Sequence, residues 1–345
     1  MTWASIRYAH RRNLIDQPGQ RRSHSEPTPR GGGIGIVVAT IAILVGEILL
    51  LPREAFPDLL ACVCAVILVA AVGWVDDHGG LAARWRFLAH CIAASLVFVP
   101  VMIAPAISMR PPVPTLALIV LFAIVWLSLV WSINLHNFMD GINGLLGCQA
   151  LFVFLALAVL ARCAGGDADA WHLCALAAAV AAFIPFNFPR ARVFMGDVGS
   201  GALGLLIGIA VLRQMSLGGI APLSGVATCS AFVIDASCNL VSRMLRGKRW
   251  YSAHREHLYQ WMVRAGMSHA RVVSVYMAWN LLIVVPILWL VNSGRPADGT
   301  GTLTAAAAAS GLGWVAAVYV LGIAVWISGK RWCLHKVTSQ RHAAA

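Results

Sequence analysis

Residues 58–77 read DLLACVCAVILVAAVGWVDD. Between Asp58 and the pair Asp76-Asp77 no charged side chain interrupts the run. Its length suits the roughly 20 residues that an α-helix needs to cross bilayer hydrocarbon. Lipid offers the backbone no hydrogen-bond partner, so such a run must satisfy its own N–H and C=O groups as a helix. An ionisable group at a helix centre costs roughly 2.5–3.5 kcal/mol on insertion scales. Carboxylates kept at the mouth of such a run point to a use for them there, or to a solvated pair that simply marks the end of the span.

The same pattern recurs along the chain. Apolar runs of spanning length lie at about 33–52, 58–75, 87–108, 113–133, 144–163, 171–188, 200–217, 219–241, 271–293 and 304–328. Short breaks rich in Pro, Gly or charge separate them, such as Pro52-Arg53-Glu54, Pro111-Pro112 and Gly165-Gly166-Asp167. Gly218-Gly219 is the weakest break, because two runs nearly touch there. The 345 residues are 59% hydrophobic and 12% charged, and a soluble domain carries roughly twice that charged share. The expected fold is all-α: a polytopic integral membrane helical bundle of about ten transmembrane helices, one domain over residues 1–345. The first 33 residues are polar and basic, without the apolar stretch of a cleavable signal. The nine cysteines fall mostly inside apolar runs and form no C-x-x-C pair, so they are expected as small core residues.

Orientation follows from the basic residues. With the N-terminus inside, 21 of the 26 Lys and Arg side chains fall in inside segments and five outside. Both termini are therefore expected in the cytoplasm. The net charge of +12 is gathered in short loops between spans, which favours anionic inner-leaflet lipids over nucleic acid as partners.

Four polar clusters then share the inside face. The first is Asp76-Asp77. Adjacent carboxylates repel, so one needs a raised pKa or a cation beside it. The second is NLHNFMDGING, residues 134–144, where Asn134, Asn137, Asp140 and Asn143 recur every three residues. On a helix that spacing keeps neighbours on one side. Amide and carboxylate oxygens suit a hard cation such as Mg²⁺, while Asp-Gly and Asn-Gly are also turn dipeptides. The third is VFMGDVGSG, residues 193–201. Its glycines allow close backbone approach, and the following helix start attracts phosphate. Asp197 is a candidate metal ligand there, or, like Ser200, a helix cap. The fourth is HREHLYQ, residues 254–260, where His254 and His257 sit among arginines that suit a phosphate or lipid headgroups. Arg30, in the strip HSEPTPRGGG at 24–33, can reach an anionic group from a stiff, close-fitting segment. Asp235 lies about two turns from the inside end of its run. It is either functional, as intramembrane acids usually are, or a structural partner of a residue such as Arg243.

Together HSEPTPRGGG, GWVDD, NLHNFMDGING, VFMGDVGSG and HREHLYQ resemble the polyprenyl-phosphate N-acetylhexosamine-1-phosphate transferases, in the family's order, across residues about 7 to 262. The resemblance implies a Mg²⁺-dependent phosphoglycosyl transferase of the bacterial inner membrane, with Mn²⁺ as a substitute metal. Its reaction would join a UDP-N-acetylhexosamine to undecaprenyl phosphate and release UMP, starting O-antigen or another envelope polysaccharide. The resemblance assigns Asn137 and Asp197 to the metal, and Asp76, Asp77 and Asp140 to catalysis. It assigns Asn143 and Phe194 to the uracil, and His254 and His257 to the diphosphate and sugar. Arg30 and Asn134 are expected to bind substrate at the same mouth. A homodimer remains open.

Three departures stand out. Many members have Asp at the position of Asn143. The His-Leu-Tyr-Gln loop is not a run of histidines, which points away from the muramoyl-pentapeptide enzymes. Members usually carry one further span ahead of the HSEPTPR strip, so either the start falls late or the bundle has ten spans instead of eleven. The alternative from another class is a transporter or flippase of lipid-linked sugars. That reading calls for acids at the midplane and internal repeats, and the acids here cluster at one face.

Overall fold

A computed structural model describes residues 1–17, 26–53, 56–99, 115–216, 224–248, 255–292 and 305–344. It opens with α1 (Thr2–Arg12), closed by Asn13 in the left-handed conformation. Next come β1 (Ile15–Asp16) and β2 (Thr28–Pro29), an antiparallel ribbon pairing Ile15 with Pro29 and Asp16 with Thr28. The helices α2 (Ile34–Leu50), α3 (Phe56–Gly79), α4 (Ala83–Phe98), α5 (Thr115–Met139), α6 (Leu145–Cys163), α7 (Asp167–Asn187) and α8 (Asp197–Ser216) follow. The remainder is α9 (Ser224–Thr228), α10 (Ser230–Leu245), the short α11 (Leu258–Arg264), α12 (His269–Trp279), a π-helical turn (Asn280–Val284), α13 (Val285–Asn292) and α14 (Ala305–Ala344).

Every apolar run thus contains helix, and among the described residues the only strands are the two of the ribbon. Seven helices are long and apolar enough to cross a membrane: α3, α5, α6, α7, α8, the stretch His269–Asn292, and Gly311–Gln340 of α14. The run at 33–52 is the shorter apolar helix α2. The runs at 87–108 and 219–241 hold α4 and the broken pair α9–α10. Gly218-Gly219 lies outside the described residues.

The centre of the bundle is α8, packed by α2, α3, α5 and α6. Leu203, Leu205 and Ile207 of α8 are buried, as are Val66 and Val69 of α3 and Phe154 and Leu157 of α6. Close packing at its head needs glycine. A Cβ on Gly33 would run into the Gly199 backbone, and one on Gly73 into the Asp197 carbonyl. On α5, Leu116, Ile119, Ile124 and Leu127 face outward, an apolar surface that suits lipid contact. Only Cys62, Cys229 and Cys333 are buried, while Cys64, Cys163 and Cys174 are exposed. Cysteine in an apolar run therefore does not mean cysteine in the core: in lipid the outer surface is apolar too.

One end of the bundle collects the polar groups. There α3, α5 and α7 end while α2, α6 and α8 begin. Helix α1 lies at the same end, its Tyr8 hydroxyl 3.2 Å from His78 Nε2 and its ring 5.3 Å from that of Trp74. The later part of α14 reaches it too, with Lys330 donating to Asn239 of α10 at 3.2 Å.

Candidate active site

The floor of this end is backbone. The Gly32 and Gly33 N–H groups donate to the carbonyls of Phe194 and Met195, both at 2.9 Å, and the Phe194 N–H donates to Pro29 at 2.8 Å. The strip 28–33 and the loop 193–196 are therefore laced together directly ahead of α2 and α8.

Asp77 anchors that loop. It is buried at the end of α3, and its two carboxylate oxygens accept the N–H groups of Asp197 and Val198 at 3.1 and 3.2 Å. An anion at a helix N-terminus is favoured by both hydrogen bonding and the helix dipole. The cap of α8 is thus Asp77, from 120 residues earlier in the chain, and neither Asp197 nor Ser200. Arg30 approaches the same carboxylate at 3.8 Å and Asp16 of the ribbon at 3.9 Å.

With its backbone held, the Asp197 side chain is turned to the mouth. Arg86, in the first turn of α4, donates to Asp76 at 2.6 Å and to Asp197 at 3.1 Å. Asn137, near the end of α5, donates to the Ser200 hydroxyl at 2.9 Å. Ser200 lies one turn beyond Asp197 on α8, so Asn137 and Asp197 share one wall. Asp140 follows the end of α5 half-buried. Burial, with the carboxylates of Asp197 and Asp77, pushes its pKa well above the ordinary 3.8, against the pull of Arg30.

Four carboxylates, Asp76, Asp77, Asp140 and Asp197, thus meet two guanidiniums, Arg30 and Arg86. The excess of hard oxygen donors fits a divalent cation. Among the described residues no three His, Cys, Asp or Glu side chains are set to enclose one. A fit of this kind needs water or substrate oxygens to complete the shell, as is usual for Mg²⁺.

Asn134 donates to the Val130 carbonyl of its own helix at 2.7 Å and lies beside His90 of α4. The three-residue spacing drifts around α5, and only its last turn reaches the mouth. Asn143 donates to the Pro189 carbonyl at 3.3 Å, and its N–H approaches His269 Nδ1 at 3.4 Å. Its Oδ1 is buried without a hydrogen-bond partner. Phe194 is half-buried in the laced loop. His257 is buried, 3.9 Å from Asp235 and stacked on Tyr259 at 5.8 Å. Burial lowers its pKa, with Lys330 and Arg243 in the same direction and Asp235 opposing. His254 lies outside the described residues.

Asp235 resolves toward structure. Its oxygens accept the N–H groups of Leu258 and Tyr259 at 2.7 and 3.4 Å, the Tyr276 hydroxyl at 2.7 Å and Trp326 Nε1 at 2.9 Å. It fixes the start of α11 against α10, α12 and α14. Arg243 pairs with Glu256 at 2.7 Å instead. In turn Tyr259 donates to the Phe138 carbonyl at 3.0 Å, which sets α11 beside the end of α5. Arg86 and Asn187 were not singled out by the sequence, and Ser200 was singled out only as a helix cap. Asn187 accepts the Gly144 N–H at 2.7 Å and donates to Val193 at 3.0 Å, joining the loops before α6 and α8.

The fold and this mouth define a polytopic helical membrane protein with an acidic, arginine-bridged cluster at one end of its bundle. The chain belongs to the polyprenyl-phosphate N-acetylhexosamine-1-phosphate transferase family. The profile of glycosyl transferase family 4 matches residues 59–215, from α3 through nearly all of α8. The chain is 33% identical over 307 residues to the decaprenyl-phosphate N-acetylglucosaminephosphotransferase of Mycolicibacterium smegmatis, covering 80% of this chain and 75% of the relative. The Mycobacterium tuberculosis protein of the same name is 31% identical, over 79% of this chain and 74% of the relative. The phospho-N-acetylmuramoyl-pentapeptide-transferase of Chlamydia trachomatis is also 31% identical, over 74% of this chain and 81% of the relative.

Proposed function

We propose that this protein transfers an N-acetylhexosamine 1-phosphate from a UDP-sugar to undecaprenyl phosphate and releases UMP. It works at the cytoplasmic face of the bacterial inner membrane, with about ten spans and both termini inside. The product starts an envelope polysaccharide such as O-antigen. The convergence of Asp76, Asp77, Asn137, Asp140 and Asp197 at one helix mouth, in a member of this family, carries the reading. The family relatives named for decaprenyl phosphate and N-acetylglucosamine support the acceptor and donor classes.

An oxygen of the lipid phosphate attacks the phosphorus that bears the sugar. The bond from that phosphorus to the UMP oxygen breaks, and UMP leaves in line with the attack. Asn137 and Asp197 would hold Mg²⁺. Bound there, it supplies charge neutralisation on the diphosphate as UMP departs. Asp77 has both oxygens engaged in capping α8, so its work is to position Asp197. Asp76 keeps Arg86 at the mouth, where the guanidinium can take a phosphate oxygen. Asp140, with its raised pKa, suits proton exchange with the acceptor phosphate. The unpaired Asn143 Oδ1 is a costly buried acceptor, and a uracil N–H would satisfy it. One pocket holding both phosphates supplies proximity, which repulsion would otherwise prevent.

The test uses membranes containing the protein, Mg²⁺, undecaprenyl phosphate and UDP-N-acetylglucosamine. Release of UMP together with a lipid-linked sugar diphosphate is expected. No turnover with any UDP-N-acetylhexosamine would reject the reading.

A further inference from the structure

Beyond α11 from the acids lies a second polar site. A cavity of about 420 Å³ opens between the ends of α10, α11 and α14. It is lined by six cations, Arg243, Arg246, Lys248, Arg255, Arg264 and Lys330, against one acid, Glu256. Glu256 pairs with Arg243 at 2.7 Å and Lys248 at 3.0 Å, so the cavity keeps a strong positive excess. Burial, with the like charge of Arg264 added, lowers the pKa of Arg255.

Deeper in the bundle, the same three helices and α12 wall an apolar cavity of about 280 Å³. Ile234, Leu258, Met262, Val275, Trp279 and Trp326 line it. Its rim residues Val275, Leu282 and Val325 are exposed on the side of the bundle, so it opens where lipid would lie. The two cavities stack along α14. Lys330 lines the basic one, Trp326 the apolar one, and the ammonium sits 4.3 Å from the indole centroid. Charge above and apolar surface beside lipid, one helical turn apart, match the division within a phospholipid.

We propose that these cavities form a binding site for one anionic glycerophospholipid, its phosphate among the arginines and an acyl chain in the apolar groove. The occupant is not the polyprenyl substrate. The acceptor phosphate must reach Asp197, and Tyr259 of α11 faces that side through Phe138, whereas Trp261 and Arg264 of the same helix line the basic cavity. By holding α10, α11 and α14 together, the lipid steadies the helix that Asp235 anchors. The inference rests on the membrane reading and not on the proposed reaction.

The test is native mass spectrometry of the full chain after exchange into phosphatidylcholine nanodiscs with a minor fraction of phosphatidylglycerol. Wild type is expected to retain one phosphatidylglycerol. The double variant Arg246→Ala, Arg264→Ala should bind it roughly thirtyfold more weakly, each cation near a headgroup being worth about fivefold. Val325→Trp, which fills the groove and leaves every charge, should also release it. Equal retention in all three proteins overturns the site. So does unchanged retention with a raised KM for the UDP-sugar in the double variant, since the cavity would then serve the nucleotide diphosphate.

Discussion

Asp77→Asn distinguishes a positioning carboxylate from one that holds metal. Asp77 is 7% exposed, and each oxygen takes one N–H at the head of α8. An asparagine of the same shape keeps one acceptor and turns an NH₂ group toward the other N–H. Losing a charged cap costs about 1–2 kcal/mol, and a buried N–H left without an acceptor costs about 1–3 kcal/mol. These effects overlap, so the expected loss is about 2–4 kcal/mol, or several degrees of Tm. Asp197→Asn behaves oppositely. Its N–H still meets Asp77, and one charge leaves a crowded set of carboxylates, so Tm holds or rises while activity falls by orders of magnitude. Thermal unfolding of metal-free protein in one detergent, with UMP release measured alongside, separates the two. A wild-type Tm for Asp77→Asn refutes the capping role. A collapsed Tm for Asp197→Asn refutes its assignment to chemistry.

Gly73→Ala places a methyl group against the Asp197 carbonyl. The end of α3 and the head of α8 must separate, and both Tm and turnover are expected to drop, read by the same pair of assays. Asp140 gives a pH signature. Its folded pKa lies above the ordinary 3.8, so the folded chain holds a proton that the unfolded chain has lost, and stability falls as pH rises from that value through the shifted one. Asp140→Asn should flatten the Tm profile of the metal-free protein across that window; an unchanged slope counts against it. Asp235→Asn removes the anion that fixes α11, leaving four partners on three segments to compensate. Amide exchange at Leu258 and Tyr259 should speed up by at least tenfold, about 1.4 kcal/mol or more of lost protection.

Helices were readable wherever a long apolar run dictates backbone self-satisfaction, and the placement of Asp76, Asn137 and Asp197 at run ends carried the site. Several features were out of reach. The Arg86 bridge spans 111 residues from Asp76's neighbourhood to Asp197, and no local pattern encodes such a pairing. Asp77 and Asp235 look alike in sequence, as acids near the ends of apolar runs. Only the structure reveals that both cap helices elsewhere in the chain. Asn134 follows the same three-residue rhythm as Asn137, yet the rotation of α5 carries it toward His90. Helix α1 and the β1–β2 ribbon were missed because no apolar run marks them: α1 rests on α2 and on Trp74 of α3, and the ribbon is held by the Phe194 N–H on the Pro29 carbonyl.

Titration of Mn²⁺ into purified protein, followed by electron paramagnetic resonance, reads the metal site without relying on turnover. The assignment of Asn137 and Asp197 to the metal requires one bound ion in wild type, lost in Asp197→Asn and weakened in Asn137→Ala. One ion bound with unchanged affinity in both variants would contradict it.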